Sequence, residues 1–311
     1  MSFSQDNICF NYITVQNRPV VRLHYAEIKK EDPDASLVVL LHGFGEYWYA
    51  WKDIMPMLAK EGYAVVAPDL RGFNKSDRPT SKKDYDIKFL VNDVKELIHS
   101  FGKGKAIVIG HDWGGSITWE LADLFPDVCE SIVVLNSPHR GAYAKNIRKN
   151  IRVNLRQSLR SWYIYFFQLP WLPELALRCC NFKWFKFNFL GWIYNKSAVT
   201  NERLEKYVLC YSQKGALTAA LNLYRANTTG EFGKGVIKAA LGLKKFNKIK
   251  VPTLVIWAEN DIALEKALTY GMDEFFENHF QLEYIPNCSH WVHLEQPNKV
   301  ISLIKKFIKR T

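Results

Sequence analysis

Apolar residues follow two patterns along the chain. Short continuous runs, bounded by turn residues, cover 36–41, 63–67 ahead of Pro68-Asp69, 105–109, 131–135, 253–257 and 280–285. Runs this short and rich in β-branched residues predict strands covered on both faces, as in a mostly parallel sheet. Helical spacing of apolar positions covers 51–61, 87–101, 116–125 and 298–309. The alternation of the two predicts an α/β fold with a doubly wound sheet. This rhythm stops near Pro138 and resumes near Val251. The intervening segment has helical patterns rich in Arg, Leu and aromatics, so it is expected as a helical cap inserted between two halves of one sheet. The expected division is 1–138 and 246–311 for the core and 139–245 for the cap.

Composition narrows the class. With 311 residues, 48% hydrophobic and 23% charged, the chain can build a large globular core and is neither disordered nor fibrous. Six scattered cysteines form no metal-ligand spacing, which points to reduced thiols in a cytoplasmic setting. The amino-terminal stretch lacks the charge-then-apolar order of a secretory signal, and no apolar run is long enough to span a bilayer. The net charge of +11 is uneven: between Arg140 and Thr200, eleven basic residues face only Glu174, a local balance of +10. A basic surface with this many aromatics suits peripheral contact with an anionic membrane or an acidic substrate. No recognition motif supports nucleic acid.

Ligands of open α/β sheets bind beyond the carboxyl ends of the strands. The residues following the predicted strands are His42-Gly43-Phe44, Asp69, His111-Asp112-Trp113-Gly114-Gly115, Asp261 and His290. Gly110-His111-Asp112-Trp113-Gly114-Gly115 has the small-residue framing of a nucleophile elbow, with Asp at the central position. An Asp before a helix is ordinarily only a cap; here the framing on both sides favours the elbow. His290 follows the last predicted strand, where the fold's order of nucleophile, acid and base puts the base, with Asp261 in the acid slot. His293 is the competing base.

These residues resemble the α/β-hydrolase-fold epoxide hydrolases, whose elbow residue is an aspartate. His42-Gly43-Phe44-Gly45-Glu46 is similar to their oxyanion segment. The stretches 161–170 and 220–225 resemble the two cap segments that each supply an epoxide-binding tyrosine, here Tyr163 and Tyr224. The cap motif is most similar to the animal branch related to membrane-anchored members. One departure is Gly45, where the family usually has Pro in a cis peptide; Gly does not enforce a backbone angle, so a looser segment is expected.

The resemblance implies a scheme without metal or cofactor. Asp112 attacks a ring carbon and forms an ester, while Tyr163 and Tyr224 protonate the ring oxygen. His290, oriented by Asp261, then activates a water that hydrolyses the ester, with the N–H groups of Phe44 and Trp113 as oxyanion donors. Trp113 and Phe167 are expected against the substrate, a hydrophobic epoxide. A fatty-acid epoxide would suit the nearby positive charge. Haloalkane dehalogenases share the aspartate, base and ester, but bind halide with ring N–H donors; paired tyrosines fit them poorly. A catalytically idle lipid-binding protein is the remaining alternative.

Overall fold

A computed structural model describes residues 8–17 and 19–310. Eight strands form one sheet: β1 (Cys9–Val15), β2 (Val21–Ile28), β3 (Leu37–Leu41), β4 (Ala64–Pro68), β5 (Ala106–His111), β6 (Cys129–Leu135), β7 (Thr253–Ala258) and β8 (Phe280–Ile285). The spatial order is β1-β2-β4-β3-β5-β6-β7-β8. β1 and β2 are antiparallel to their neighbours, and every pairing from β4 to β8 is parallel.

The six continuous runs become β3 to β8. β1 and β2 are additions that the apolar-run pattern did not predict. In β1 the chain reads Cys-Phe-Asn-Tyr-Ile-Thr-Val and is largely exposed, so polar and apolar residues alternate as in a half-covered edge strand.

Alternate residues of the central strands feed two cores. Leu37, Val39 and Leu41 pack on the side of α2 (Ile87–Ser100) and α3 (Trp113–Leu124), while Val38 and Leu40 pack with α1 (Ile54–Lys60) and α12 (Pro297–Ile308). The sheet is thus covered on both faces, as its β-branched runs require. Asp86 caps α2, accepting from Lys88 N–H at 3.1 Å.

Between β6 and β7 the chain leaves the sheet. It forms α4 (Arg140–Lys149), α5 (Ile151–Arg160), α6 (Trp162–Phe166), α7 (Leu172–Trp192), α8 (Asn201–Ser212), α9 (Ala216–Thr229) and α10 (Glu231–Ala240). α7 is broken at Cys179–Phe182, where Cys180, Asn181 and Phe182 have φ of 51°, 55° and 61°. After β8, the single turn α11 (Val292–Glu295) leads into α12. Among the described residues, no helix is long and apolar enough to cross a membrane.

Candidate active site

The turn from β5 into α3 is tight because its residues are small. A Cβ at Gly110 would lie 2.3 Å from the Gly114 carbonyl oxygen, and one at Gly114 would lie 2.1 Å from that of Leu41. Asp112 sits at the apex with φ 51° and ψ −116°, a conformation few side chains tolerate. Gly43 makes room for it, since a Cβ there would meet Asp112 Cβ at 2.7 Å. The elbow expected from the sequence is therefore present, with its carboxylate lifted off the strand end. The Phe44 N–H donates to Asp112 Oδ1 at 2.9 Å. Trp113 follows as the first residue of α3, so its N–H is one of the free donors at the helix N-terminus.

His290, in the loop after β8, brings Nε2 to 3.5 Å from Asp112 Oδ2. Its Nδ1 is 2.7 Å from Asp261 Oδ2. Asp261 is held by four donors: the Ala263 and Leu264 N–H groups on Oδ1 at 2.7 and 2.9 Å, Asn136 Nδ2 on Oδ2 at 2.7 Å, and His290. Asn136 follows β6 and also accepts from Ala258 N–H at 3.1 Å, which ties the ends of β6 and β7 together. Sequence reasoning missed Asn136, although its place one residue beyond a strand end was a usable signal.

The charges follow from this geometry. Burial alone would raise the Asp112 carboxyl, but the His290 hydrogen bond and charge, the nearby His111 and the Phe44 N–H hold it below the ordinary carboxylate range. Asp261 is likewise held low, despite burial, by the charge and hydrogen bond of His290. Burial works against an imidazolium at His290, yet the Asp261 charge and the bonds to both carboxylates lift it to about 10. At neutral pH the resting site thus holds one imidazolium between two carboxylates.

The cap closes over this trio. Tyr163 on α6 and Tyr224 on α9 have ring centroids 6.0 Å apart. Both phenols are raised above their ordinary value, first by burial and also by the Asp112 charge, and so remain hydrogen donors. Tyr163, Tyr224, Asp112 and His290 share a cavity of about 100 Å³ whose other walls include Phe44, Phe167, Trp184 and Phe185. Trp113 is not one of the lining residues; its indole packs edge-on against Tyr224 at 5.1 Å. Among the described residues, no Lys or Arg lines the cavity.

The cap is fastened to the Asp261 loop by α5. Gln157 Nε2 donates to the Ala263 carbonyl at 3.0 Å, and its Oε1 accepts from Glu265 N–H at 2.9 Å. Arg160 donates to the Asp261 carbonyl at 2.6 Å.

Other strand-end residues serve the framework. Asp69 accepts from His24 Nδ1 at 2.6 Å and Trp48 N–H at 3.1 Å, and His42 Nε2 accepts from Leu70 N–H at 3.0 Å. His293 does not approach Asp112 in these bonds; its Nε2 meets Glu46 Oε1 at 3.0 Å. Burial pushes His293 down to about 4, which leaves it a neutral donor to that carboxylate. Glu46 Oε2 in turn faces His111 Nδ1 at 2.9 Å, and His111 Nε2 faces the His290 carbonyl at 2.9 Å. This buried row props His290 from below.

Residues 36–176 match the family described as alpha/beta hydrolase fold. Epoxide hydrolase 4 of Homo sapiens is 35% identical over 293 residues, 93% of this chain and 76% of that protein. The chain belongs to the epoxide hydrolase family. A second relative, the AB hydrolase superfamily protein YfhM of Bacillus subtilis, is 36% identical over 289 residues and is covered over 95% of its length. The solved epoxide hydrolase VrEH1 of Vigna radiata superposes with a TM-score of 0.81 at 26% identity, over 99% of this chain and all of that one. The α/β-hydrolase fold with a cap, expected from the sequence, is the fold of this epoxide hydrolase family.

Proposed function

We propose that the protein hydrolyses hydrophobic epoxides to vicinal diols through an ester on Asp112. One observation carries the reading: a depressed carboxylate, a carboxylate-backed histidine and two protonated phenols face one apolar cavity. An ionised Asp112 needs no base before it attacks a ring carbon. As the C–O bond breaks, one of the two phenols gives its proton to the departing oxygen and the other donates a hydrogen bond. The products are a neutral ester and a phenolate.

Esterification also changes His290. With Asp112 neutral, one of the two carboxylates that held the imidazolium proton is gone, and its hold on the proton weakens. That proton balances the one the phenolate has lost. Neutral His290, kept in orientation by Asp261, then takes a proton from water as the water oxygen attacks the ester carbonyl. The oxyanion forms where Asp112 Oδ1 already meets the Phe44 N–H, with the Trp113 N–H as second donor. Removing one such donor costs about 3 kcal/mol of transition-state stabilisation. Collapse expels the diol oxygen, which takes the proton from His290; the second water proton, left on the Asp112 carboxyl, then passes to His290 and restores the resting carboxylate and imidazolium.

The cavity supports a neutral, hydrophobic substrate portion. Since no cation among the described residues lines it, the carboxylate of a fatty-acid epoxide would have to stay outside, near the basic cap. Halide release is disfavoured, because the Trp113 indole is not part of the cavity wall and two phenols are. The six free cysteines support a reducing, cytoplasmic setting for this activity. The test is His290→Gln incubated with an epoxide and examined by intact mass. The protein should gain the mass of the substrate on Asp112 and release no diol; an unmodified protein would sink the mechanism.

A further inference from the structure

α5 is amphipathic in an unusual sense. Val153 and Gln157 are buried on its inner face. On the opposite face, Ile151, Leu155 and Leu159 recur every fourth residue and are 67%, 58% and 75% exposed. The exposed surface continues into α6 through Trp162 and Tyr165. One flank of the stripe carries Arg152, Arg156 and Arg160 on successive turns, with Lys149 just before the helix. The acid paired to this flank offsets only part of the charge, one carboxylate against Lys149, Arg152, Arg156 and Arg160. Glu265, mostly buried, holds Arg160 at 2.8 Å and reaches Arg156 at 3.5 Å, and Glu174 is tied to Arg225 at 2.7 Å.

A leucine-isoleucine ridge edged by arginines, with an indole and a phenol at one end, fits the interface of an anionic bilayer. Acyl chains cover the ridge, headgroup phosphates meet the guanidinium groups, and aromatic rings sit at the boundary. Trp162 belongs both to this exposed surface and to the wall of the cavity that holds Asp112. We propose that this face of the cap seats on anionic membranes. On the epoxide reading given above, apolar substrate then enters past Trp162 directly from the lipid.

Docking is tested without any epoxide, by flotation of the full chain with phosphatidylcholine vesicles containing about one-third phosphatidylserine, and with phosphatidylcholine alone. The protein should float with the anionic vesicles, less so at high salt, and poorly with neutral ones. Leu155→Asp with Leu159→Asp should abolish flotation. Lys149→Gln and Arg152→Gln should each weaken partition about five-fold. None of these residues lines the cavity, so turnover of a small water-soluble epoxide should stay at the level of the unaltered protein, while turnover of a vesicle-borne one falls. Failure of the unaltered chain to float, or equal flotation of the double leucine variant, would overturn the proposal. So would a dimer in sedimentation that the double variant splits without any vesicle binding, since the face would then meet a second copy. Flotation without turnover of either epoxide would instead overturn the epoxide reading and leave docking standing.

Discussion

Tyr163 and Tyr224 each present a phenol that burial keeps protonated, and each can hydrogen-bond the same oxygen from a different helix. Tyr163→Phe and Tyr224→Phe should therefore each slow ring opening about 100-fold, the typical cost of one preorganised donor. The double change should leave almost no reaction. Single-turnover ester formation, followed by tryptophan fluorescence, reads this step alone; unchanged rates in both single variants would remove the phenols from the scheme. The residues most legible in the sequence were those at strand ends. Asp112, Asp261 and His290 each follow a strand and come together as expected. Glu46 and His111 stood in quoted motifs but had no assigned part, because they act through a second residue. Nothing in the order of residues says that the His111 ring will meet the backbone of His290, 179 positions away.

Among elements, the parallel strands were readable and the antiparallel edge was not. A strand buried on both faces announces itself by composition, whereas β1 alternates exposed and half-buried positions and mixes polar with apolar residues. The loop after β3 shows a different limit. Gly45 was expected to loosen the oxyanion segment by failing to enforce an angle. It takes φ +84°, an angle closed to proline and disfavoured for other L-residues. A Cβ there would meet nothing nearer than 4.0 Å, so backbone angle rather than space calls for glycine. Gly45→Ala should lower stability by about 1 kcal/mol, and Gly45→Pro by more, in thermal melts. Restoring the family's usual residue should thus weaken this chain. A stabilised proline variant would mean the segment accepts both geometries.

At the scale of the whole molecule, the buried charges link folding to pH. His290 stands at about 10 in the folded chain, above the ordinary histidine value of 6.5. Its contribution to stability is therefore full below about 6.5 and is lost as pH rises through about 10. Asp112 and Asp261 are held low, so their contribution is present above the ordinary carboxylate range and is lost as pH falls beneath it. Urea midpoints measured across pH should decline between about 6.5 and 10, and His290→Gln should remove the decline in that window. An equally steep alkaline loss in the variant would assign it to other groups.

The way α5 grips the Asp261 loop bears on how such an enzyme avoids poisoning itself. Tyr163 lies just past α5, and α5 is anchored to residues 261–265, the loop that also steers the histidine. A half-assembled chain that could alkylate its own carboxylate but not hydrolyse the adduct would be a suicide intermediate. Under the proposed mechanism, Tyr163, one of the two groups that would arm the electrophile, is anchored through α5 to the same loop that would ready its discharge, so disorder in that loop should cost the chain both capacities together.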